Sequence, residues 1–453
     1  MRLDFSDLPL KETAFSDKPM TFIDQGPKNF LGAVMDLVAI ETGNRFARER
    51  WQKKQIDNLL SHAARKSAFW RKRIGANKAA NFERLPVLTR ADVRTQVEAE
   101  GSLLAGERIK TMKHATSGSS GTPIQFFISQ MHTEYLGVRS AAQLFIEQRD
   151  LTLNSTRLRP EPKPSRDGFT VQIRGDALGS LASLVRGGKY KYIEYFHPNM
   201  DALCKELERD SIGYLVAHPH LVEAMLQFID PEFFKRAGTA MFNPVAGAVD
   251  PGLREAFVSI GIPVRGSYSS EEVGSIGFEC EKSPGIYHLA TSNVIVEVIA
   301  DNSVGGIAPD LGRVLVTHLH SYATPFIRYD IGDVATLGNS CPCGHDGPVL
   351  SNIYGRSKAL LKHPDGRVSI FFPRGKELAA IAQFDEFRIR QTETRKIVLE
   401  LGGREALSEK ERTAFIRLIN EHAGGDFEVE VKAVAAIDWG QNSKRLGFYS
   451  EVL

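Results

Sequence analysis

The segment from His114 to Pro123 interleaves hydroxyl residues with two glycines in a turn between β-like runs. Glycine lets the backbone turn its amides toward an anion, and Ser and Thr hydroxyls donate to phosphate oxygens without adding bulk. This pattern predicts a phosphate-binding loop, with a flexible linker as the alternative. The candidate phosphate-binding residues are Thr116, Ser117, Gly118, Ser119, Ser120, Gly121 and Thr122.

Two common nucleotide-binding patterns are missing from the sequence. A Walker loop has a lysine after its last glycine, and a dinucleotide-binding fold has GxGxxG after its first strand. Neither pattern occurs in the chain. The sequence therefore disfavours kinase-type and Rossmann-type phosphate sites.

The cysteines suggest a metal site rather than disulfide bonds. Cys341-Pro342-Cys343-Gly344 is a tight turn that directs two thiols toward one point, but two ligands do not complete a structural zinc site. Four cysteines in 453 residues are too few for a disulfide-stapled secreted fold, so we expect a reducing, cytoplasmic location. Cys204 lies in a helix-like segment and is expected to be a small buried apolar residue.

The elements that would position these residues alternate along most of the chain. Residues 45–75 have the spacing of an amphipathic helix, and Thr89 is a candidate N-cap for the helix that follows. Between residues 110 and 330, helical patterns alternate with short β-rich runs such as VIVEVIA and RVLVTHL, which predicts an α/β core. Beyond residue 356, three strand-like runs and a helix from Ser408 to His422 predict a small α+β domain.

Composition limits the class of protein. Hydrophobic residues make up 42% and charged residues 25% of the chain, and the net charge is only +2, which is ordinary for a globular protein. We therefore expect no nucleic-acid partner. Apolar runs such as residues 30–40 are shorter than the roughly 18 residues that cross a bilayer, so no membrane span is expected. The first 15 residues have neither a basic start followed by an apolar run nor a small-residue cleavage site, so no export signal is expected.

Four motifs in order resemble those of the adenylate-forming superfamily of acyl-CoA synthetases, and most closely its phenylacetate-CoA ligase branch. The family's phosphate loop matches residues 116–123. Its motif Tyr-Gly-x-Ser/Thr-Glu matches Tyr268-Ser269-Ser270-Glu271, with Ser269 where glycine is usual. Its ribose motif matches Arg328-Tyr329-Asp330-Ile331-Gly332-Asp333, and its hinge motif matches Gly355-Arg356-Ser357-Lys358.

The resemblance implies a nucleotide site whose chemistry suits these residues. Tyr268 offers a flat face for adenine, and Ser270 with Glu271 offers oxygen ligands for Mg²⁺. Asp333 can accept hydrogen bonds from two ribose hydroxyls, and Arg356 supplies a fixed cation for ribose and phosphate oxygens. The resemblance also implies that Ser269 is part of the ATP/AMP site.

The resemblance extends to both ends of the chain. It implies that Lys444, close to the C-terminus, stabilises charge during adenylation, although Ser443 replaces the family's usual glycine and Arg445 is a neighbouring candidate. It implies a hinge at Lys358 between a nucleotide- and acyl-binding domain over residues 1–356 and a mobile α+β domain over residues 357–453.

Some phenylacetate-CoA ligase-like proteins carry a similar set of three cysteines and one histidine. The chain offers Cys280 and His288 on either side of a Pro-Gly turn, and these would join Cys341 and Cys343 in a structural zinc site, with His345 as the alternative fourth ligand. Reduced, unliganded cysteines are the other interpretation.

Three further histidine positions are interpreted through the same resemblance. His318 and His320 alternate on one strand face, and strand-end histidines near a nucleotide are favoured over a metal pair. His218 and His220 lie where the family's acyl pocket begins and are candidate pocket residues.

The expected activity is a two-step ligase reaction. A carboxylic acid, expected to be aromatic, attacks ATP to give an acyl-adenylate and pyrophosphate, and a thiol, most simply that of coenzyme A, then displaces AMP. One alternative is an adenylating enzyme that passes the acyl group to a carrier protein or an amine. The second alternative is a catalytically silent scaffold that binds zinc and nucleotide.

Overall fold

A computed structural model describes residues 25–75, 82–116, 124–160, 168–176, 187–195, 198–245, 247, 249–300, 310–354, 360–371, 373, 375–438 and 448–452. Its helices are α1 (Gln25–Thr42), α2 (Arg45–Lys66), α3 (Ala68–Ile74), α4 (Arg90–Glu100), α5 (Gln130–Ile146), α6 (Met200–Arg209), α7 (Pro219–Met225), α8 (Glu232–Arg236), α9 (Pro251–Val258), α10 (Gly375–Ala379) and α11 (Glu409–Ala423), with a short 3₁₀ turn at Phe82–Arg84. None of these helices is long and apolar enough to cross a membrane.

The strands are numbered in chain order. They are β1 (Thr111–Ala115), β2 (Gln125–Ser129), β3 (Ser155–Pro160), β4 (Phe169–Asp176), β5 (Lys189–Tyr195), β6 (Gly213–Ala217), β7 (Thr239–Pro244), β8 (Ser267–Ser270), β9 (Gly274–Glu279), β10 (Tyr287–Leu289), β11 (Val294–Ala300), β12 (Leu311–His318), β13 (Tyr329–Gly338), β14 (Val349–Ser351), β15 (Leu360–Lys362), β16 (Val368–Ile370), β17 (Glu386–Glu393), β18 (Lys396–Gly402), β19 (Glu428–Val434) and β20 (Phe448–Ser450).

The N-terminal helices begin at capping residues. The predicted helix over residues 45–75 is two helices, because Ser67 ends α2 and its hydroxyl accepts a hydrogen bond from the Trp70 amide of α3 at 3.0 Å. Thr89 caps α4 as predicted, in a capping box with Asp92. Trp70 is 1% exposed and belongs to the main apolar core, so the break at Ser67 lets α3 bury its aromatic face.

A five-stranded sheet has the order β4-β5-β3-β6-β7, and β5, β3, β6 and β7 are parallel. Its core includes Phe234, Phe242 and Phe257 from the helices and strands that follow β6. The carboxyl ends of parallel strands form the crevice in which ligands of α/β proteins usually bind. His218 directly follows the carboxyl end of β6, and Asn243 lies near that of β7.

A seven-stranded sheet has the order β11-β12-β13-β14-β10-β9-β8. The motif that begins at Tyr268, here called the acid motif, starts on β8, and the ribose motif lies at the start of β13. The strand pairs that join these seven strands are antiparallel. Its core includes Phe126, Phe326 and Tyr329, each at most 1% exposed. This sheet therefore holds the two motifs in one frame.

The predicted α+β elements near the C-terminus share a separate apolar core drawn from residues 361–448. The four-stranded sheet has the order β19-β18-β17-β20, and α11 is the crossover between parallel β18 and β19. Phe415 on α11 is fully buried, and burying this side chain contributes about 1.5–3 kcal/mol to the stability of the folded state. The predicted boundary between residues 356 and 357 lies outside the described residues and stays a prediction.

Candidate functional site

The hairpin of β1 and β2 holds the two ends of the predicted phosphate loop. The Thr116 hydroxyl accepts from the Ile124 amide at 3.1 Å, and the Thr116 amide donates to the Ile124 carbonyl at 3.0 Å. The Phe127 amide donates to the Thr324 hydroxyl at 3.0 Å, just before the ribose motif. The remaining loop candidates lie outside the described residues: Ser117, Gly118, Ser119, Ser120, Gly121 and Thr122.

Two of the predicted motifs meet directly. The Tyr268 hydroxyl donates to the Asp333 carboxylate at 2.6 Å, although the two residues are 65 positions apart. Burial and the adjacent carboxylate both raise the pKa of Tyr268 well above its usual value, so the phenol stays protonated and keeps donating. The aromatic ring expected for adenine and the acceptor expected for ribose are therefore joined in one unit.

The acid motif ends in a turn that exposes one carboxylate and buries the next. Ser269 and Glu271 are exposed, Ser270 is half-buried, and Glu272 is 5% exposed. The motif form Tyr-Gly-x-Ser/Thr-Glu has five positions, so counting from Tyr268 ends on Glu272. The predicted Mg²⁺ ligand Glu271 is exposed to solvent, whereas the Glu272 carboxylate accepts hydrogen bonds from other residues of the protein.

Glu272 joins the acid motif to the ribose motif and to α4. The Tyr329 hydroxyl donates to the Glu272 carboxylate at 3.1 Å, and Arg90 donates to the same oxygen at 3.3 Å. A buried carboxylate needs such partners because desolvation otherwise penalises its charge. The burial and the Glu272 charge raise the pKa of Tyr329 far above its usual range, which keeps this phenol a donor.

Arg328 fixes the start of the ribose motif in a strained conformation. Its φ of 53° lies in the left-handed region, which is uncommon for a residue with a side chain. The guanidinium Nε shares its hydrogen between the two Glu297 oxygens, at 3.1 and 3.0 Å, and the backbone amide donates to the Thr317 hydroxyl at 2.8 Å. These bonds offset the strain. Leu88 pairs with Tyr329 through its own backbone, since its amide donates to the Arg328 carbonyl at 2.9 Å and its carbonyl accepts from the Asp330 amide at 3.0 Å.

The four predicted zinc ligands lie together. The ligand atoms of Cys280, His288, Cys341 and Cys343 are all within 4.8 Å of one another. Ligands around tetrahedral zinc at about 2.3 Å are separated by about 3.8 Å, so three thiols and one imidazole at this spacing fit the ion. Burial lowers the pKa of His288 to about 4, so its ring is neutral at neutral pH. His345, the alternative ligand, instead stacks on His288 with centroids 4.1 Å apart.

The other histidines separate into buried and exposed groups. His318 Nε2 donates to the Asn293 side-chain oxygen at 3.0 Å, and His320 Nε2 donates to the Ser292 carbonyl at 2.9 Å, so both rings make hydrogen bonds within the fold. His218 is half-buried at the end of β6. His220 is exposed, 3.4 Å from Glu223.

Three predicted residues, Arg356, Lys358 and Lys444, lie outside the described residues. Sequence reasoning missed Arg90 and Glu272. The five-position spacing of the acid motif could have identified Glu272, whereas nothing in the sequence marks Arg90 as its partner.

Cys204 is half-buried against the core of the five-stranded sheet, and burial raises the pKa of its thiol to about 11.

His132, at the start of α5, gives a pH-dependent prediction. Burial, with nearby His320 and His114, lowers its pKa from 6.5 to about 4. Because the unfolded chain binds this proton more tightly, the stabilising contribution of His132 is complete above pH 6.5 and is lost as the pH falls toward 4. His132→Gln should remove up to about 3 kcal/mol of the acid-induced loss of stability. Chemical denaturation at several pH values measures it.

The exposed His220→Gln variant is the control and should keep the wild-type pH dependence. If His132→Gln protein loses stability between pH 6.5 and 4 as steeply as the wild type, the buried neutral form of His132 is not what the fold requires.

Comparison with known proteins gives a fold but no sequence-level relative. No protein-family model and no curated protein matches the chain. The chain is similar to 2-hydroxyisobutyryl-CoA ligase in the postadenylation state in complex with R3-HIB-AMP, with a TM-score of 0.63, 18% identity and 91% of each chain covered. With 2-HIB-AMP and CoA in the thioesterification state, the same ligase gives a TM-score of 0.55 and 19% identity, covering 91% of this chain and 92% of the other.

The chain is also similar to the acyl acid amido synthetase AtGH3.15 in complex with 2,4-DB. That TM-score is 0.53, the identity is 15%, and 91% of this chain and 90% of the other are covered. The likeness spans almost the whole length of each chain and confirms the predicted α/β class and small α+β elements. The chain therefore has the fold of the adenylate-forming enzymes.

Proposed function

We propose that the protein activates a carboxylic acid with ATP and transfers the acyl group to a thiol. A carboxylate oxygen attacks the α-phosphorus of ATP and pyrophosphate leaves. The thiol then attacks the acyl carbon of the adenylate, and AMP leaves with the bridging oxygen. The observation that carries the proposal is the 2.6 Å contact of Tyr268 with Asp333, beside the acid turn.

The nucleotide would be held by residues of different chemistry. Adenine stacks on Tyr268, and both ribose hydroxyls donate to Asp333. A carboxylate has about four acceptor positions, so the hydrogen bond from Tyr268 leaves capacity for ribose and fixes the rotamer that meets it. Residues 116–122 and Arg356 bind phosphate oxygens. Mg²⁺ at Ser270 and Glu271 would neutralise phosphate charge, since Glu271 is the solvent-exposed carboxylate of the turn.

Lys444 would serve the first half-reaction. Its ammonium stabilises the negative charge that develops on the carboxylate and the α-phosphate. Rotation about Lys358 would then exchange this lysine for another face of the C-terminal domain during thiol attack. A fixed Lys444 would instead serve both steps or neither.

The acceptor is most simply coenzyme A, in a phenylacetate-CoA ligase-like, AMP-forming reaction. Similar folds include a CoA ligase and an amido synthetase. A carrier protein or amine acceptor therefore remains the alternative, and an acceptor screen on the adenylated enzyme separates them. An aromatic acid is the expected substrate, in a pocket that begins near His218 and His220. A catalytically silent scaffold would bind ATP without pyrophosphate exchange.

We also propose that Cys280, His288, Cys341 and Cys343 bind a structural zinc ion. Four protein ligands leave no open position for substrate, so the ion would stabilise the fold rather than take part in the reaction. The ligands come from the segment after β9, from β10 and from the loop between β13 and β14. One ion would thus hold three chain segments of the seven-stranded sheet together.

The zinc proposal predicts about one zinc per chain. Cys343→Ser should lower the metal content and the melting temperature, because zinc binding is coupled to folding. Cys204→Ser is the matched control, since Cys204 lies outside the cluster, and it should keep the metal. Metal analysis of the purified protein makes the measurement. Protein without zinc whose melting is unaffected by chelators would contradict the site.

The adenosine site predicts a graded loss of ATP affinity. Asp333→Ala removes the acceptor for ribose and should weaken ATP binding by about 10- to 150-fold, which corresponds to about 1.5–3 kcal/mol. Tyr268→Phe keeps the ring and removes only the hydroxyl, so its loss should be smaller. Calorimetric titration with ATP measures both. Unchanged affinity in Asp333→Ala would place the ribose elsewhere.

The Lys444→Ala variant distinguishes adenylation from thioester formation. Lys444→Ala should slow adenylation by at least about 10²-fold, the scale for one electrostatic stabiliser, while thioester formation from supplied acyl-adenylate survives. The exposed Lys410→Ala is the control for a lost charge and should leave both rates unchanged. Equal losses in both steps for Lys444→Ala would argue against the hinge, and no loss would transfer the role to Arg445.

A further inference from the structure

One face of α5 is polar although it points into the protein. Tyr135, Arg139 and Gln143 follow one another at helical spacing on this face, with His132 one turn before them. Arg139 is 2% exposed and Gln143 is 7% exposed. A helix face that packs into a core is normally apolar, so these four residues, the α5 polar face, need a separate explanation.

Glu41 balances the charge of Arg139, but some Arg139 N–H groups have no acceptor among the described residues. One terminal nitrogen donates to Gln143 at 2.9 Å and lies 3.8 Å from Glu41. Glu41 already accepts four hydrogen bonds, from the amides and hydroxyls of Thr291 and Ser292 at 2.6–3.2 Å. The Glu41 carboxylate is therefore fully used by other donors.

The other two guanidinium nitrogens have no hydrogen-bond partner among the described residues. Nε and the other terminal nitrogen are buried and have no acceptor among the described residues. A guanidinium carries five N–H groups, and these two nitrogens hold three of them. Leaving such donors buried and unpaired costs about 1–3 kcal/mol, so an oxygen acceptor supplied from outside the chain would be bound favourably. His132 Nε2, about two helical turns earlier, is also buried without a hydrogen-bond partner among the described residues.

Arg139 packs on β9 next to the acid turn, on the face of β8 and β9 opposite the Tyr268 side chain. The α5 helix directly follows β2 of the phosphate hairpin. A Leu136 methyl group lies 3.0 Å from where a Cβ on Gly274 would stand, at the end of the acid turn. The Arg139 guanidinium lies 4.9 Å from the Phe278 ring centroid, and Phe278 pairs with Ser267, the residue before Tyr268. Arg139 is about 4.5 Å further along the helix than Leu136.

We propose that Arg139 donates hydrogen bonds to a hydroxyl or oxo oxygen on the acyl part of the acid substrate. The proposal rests on the proposed function and narrows its substrate class. A carboxylate that reacts beside the acid turn would place the next few carbons of its acid near Arg139. Because Glu41 already balances the Arg139 charge, a neutral oxygen satisfies the donors without leaving an extra buried charge, whereas a second carboxylate would leave one.

The test compares matched acids on the full-length protein. Phenylacetate is paired with its ring-hydroxylated isomers, butyrate is paired with 3-hydroxybutyrate and with 3-oxobutyrate, and glutarate serves as the dicarboxylate. Pyrophosphate exchange gives kcat/KM for each acid, and calorimetry gives its affinity.

Three variants test the role of the guanidinium. Arg139→Met removes the donors. Glu41→Gln keeps them, and Glu41→Gln with Arg139→Met removes both buried charges in case the single Met variant folds poorly.

The wild type should favour the oxygen-bearing member of at least one pair by at least about 10-fold, the scale for losing hydrogen bonds to a charged group. The preference should persist in Glu41→Gln and fall to within a few-fold in both Met variants. Exchange with no such preference, or with a preference that survives Arg139→Met, would overturn this inference and leave the proposed function standing. An Arg139-dependent preference for glutarate alone would also overturn it.

Absence of exchange with every acid would contradict the proposed function without deciding the subsite. The calorimetric affinities of the same pairs then decide it. Hydroxyl-dependent binding that disappears in the Met variants supports the role of Arg139, and equal affinities within each pair overturn it.

Discussion

The proposed adenosine site depends on a sheet that curves until side chains of two distant strands meet. β8 and β13 are separated by β9, β10 and β14 in the seven-stranded order, so a flat sheet would hold them about 19 Å apart, at about 4.8 Å per strand. Yet the Tyr268 hydroxyl on β8 is 2.6 Å from the Asp333 carboxylate on β13. Two side chains cannot span that distance, so this part of the sheet must curve, and the contact reports the curvature.

Two short strands, β10 and β14, lie within the stretch from β8 to β13 over which the sheet must bend. β10 and β14 each have three residues, too few to stabilise a strongly curved pair alone. The Cys and His cluster lies at this bend, with His288 on β10 and Cys341 and Cys343 in the loop before β14. On this account, the proposed zinc ion would act on nucleotide binding without touching the nucleotide, because it fixes the curvature that brings Tyr268 to Asp333.

The sequence predicted local features more readily than contacts across the fold. β-Branched runs identified β11 and β12, and capping residues identified the start of α4 and α11, because these signals act within a few residues. The break at Ser67 was missed because the apolar spacing continues through it. The choice between Glu271 and Glu272 is set by a turn that buries one carboxylate beside Tyr329 and Arg90, and amino-acid types alone do not reveal that turn. The same holds for Arg139, whose position over Phe278 depends on how α5 packs on the sheet.

In the proposed reaction, a carboxylate oxygen becomes bonded to the α-phosphorus of ATP. An acid labelled with ¹⁸O in its carboxylate tests this claim, because the bridging oxygen leaves with AMP when the thiol attacks the acyl carbon. Mass spectrometry of the products after turnover with ATP and coenzyme A should find one labelled oxygen in AMP and none in pyrophosphate. Label in orthophosphate, or thioester formation with unlabelled AMP, would contradict an acyl-adenylate intermediate.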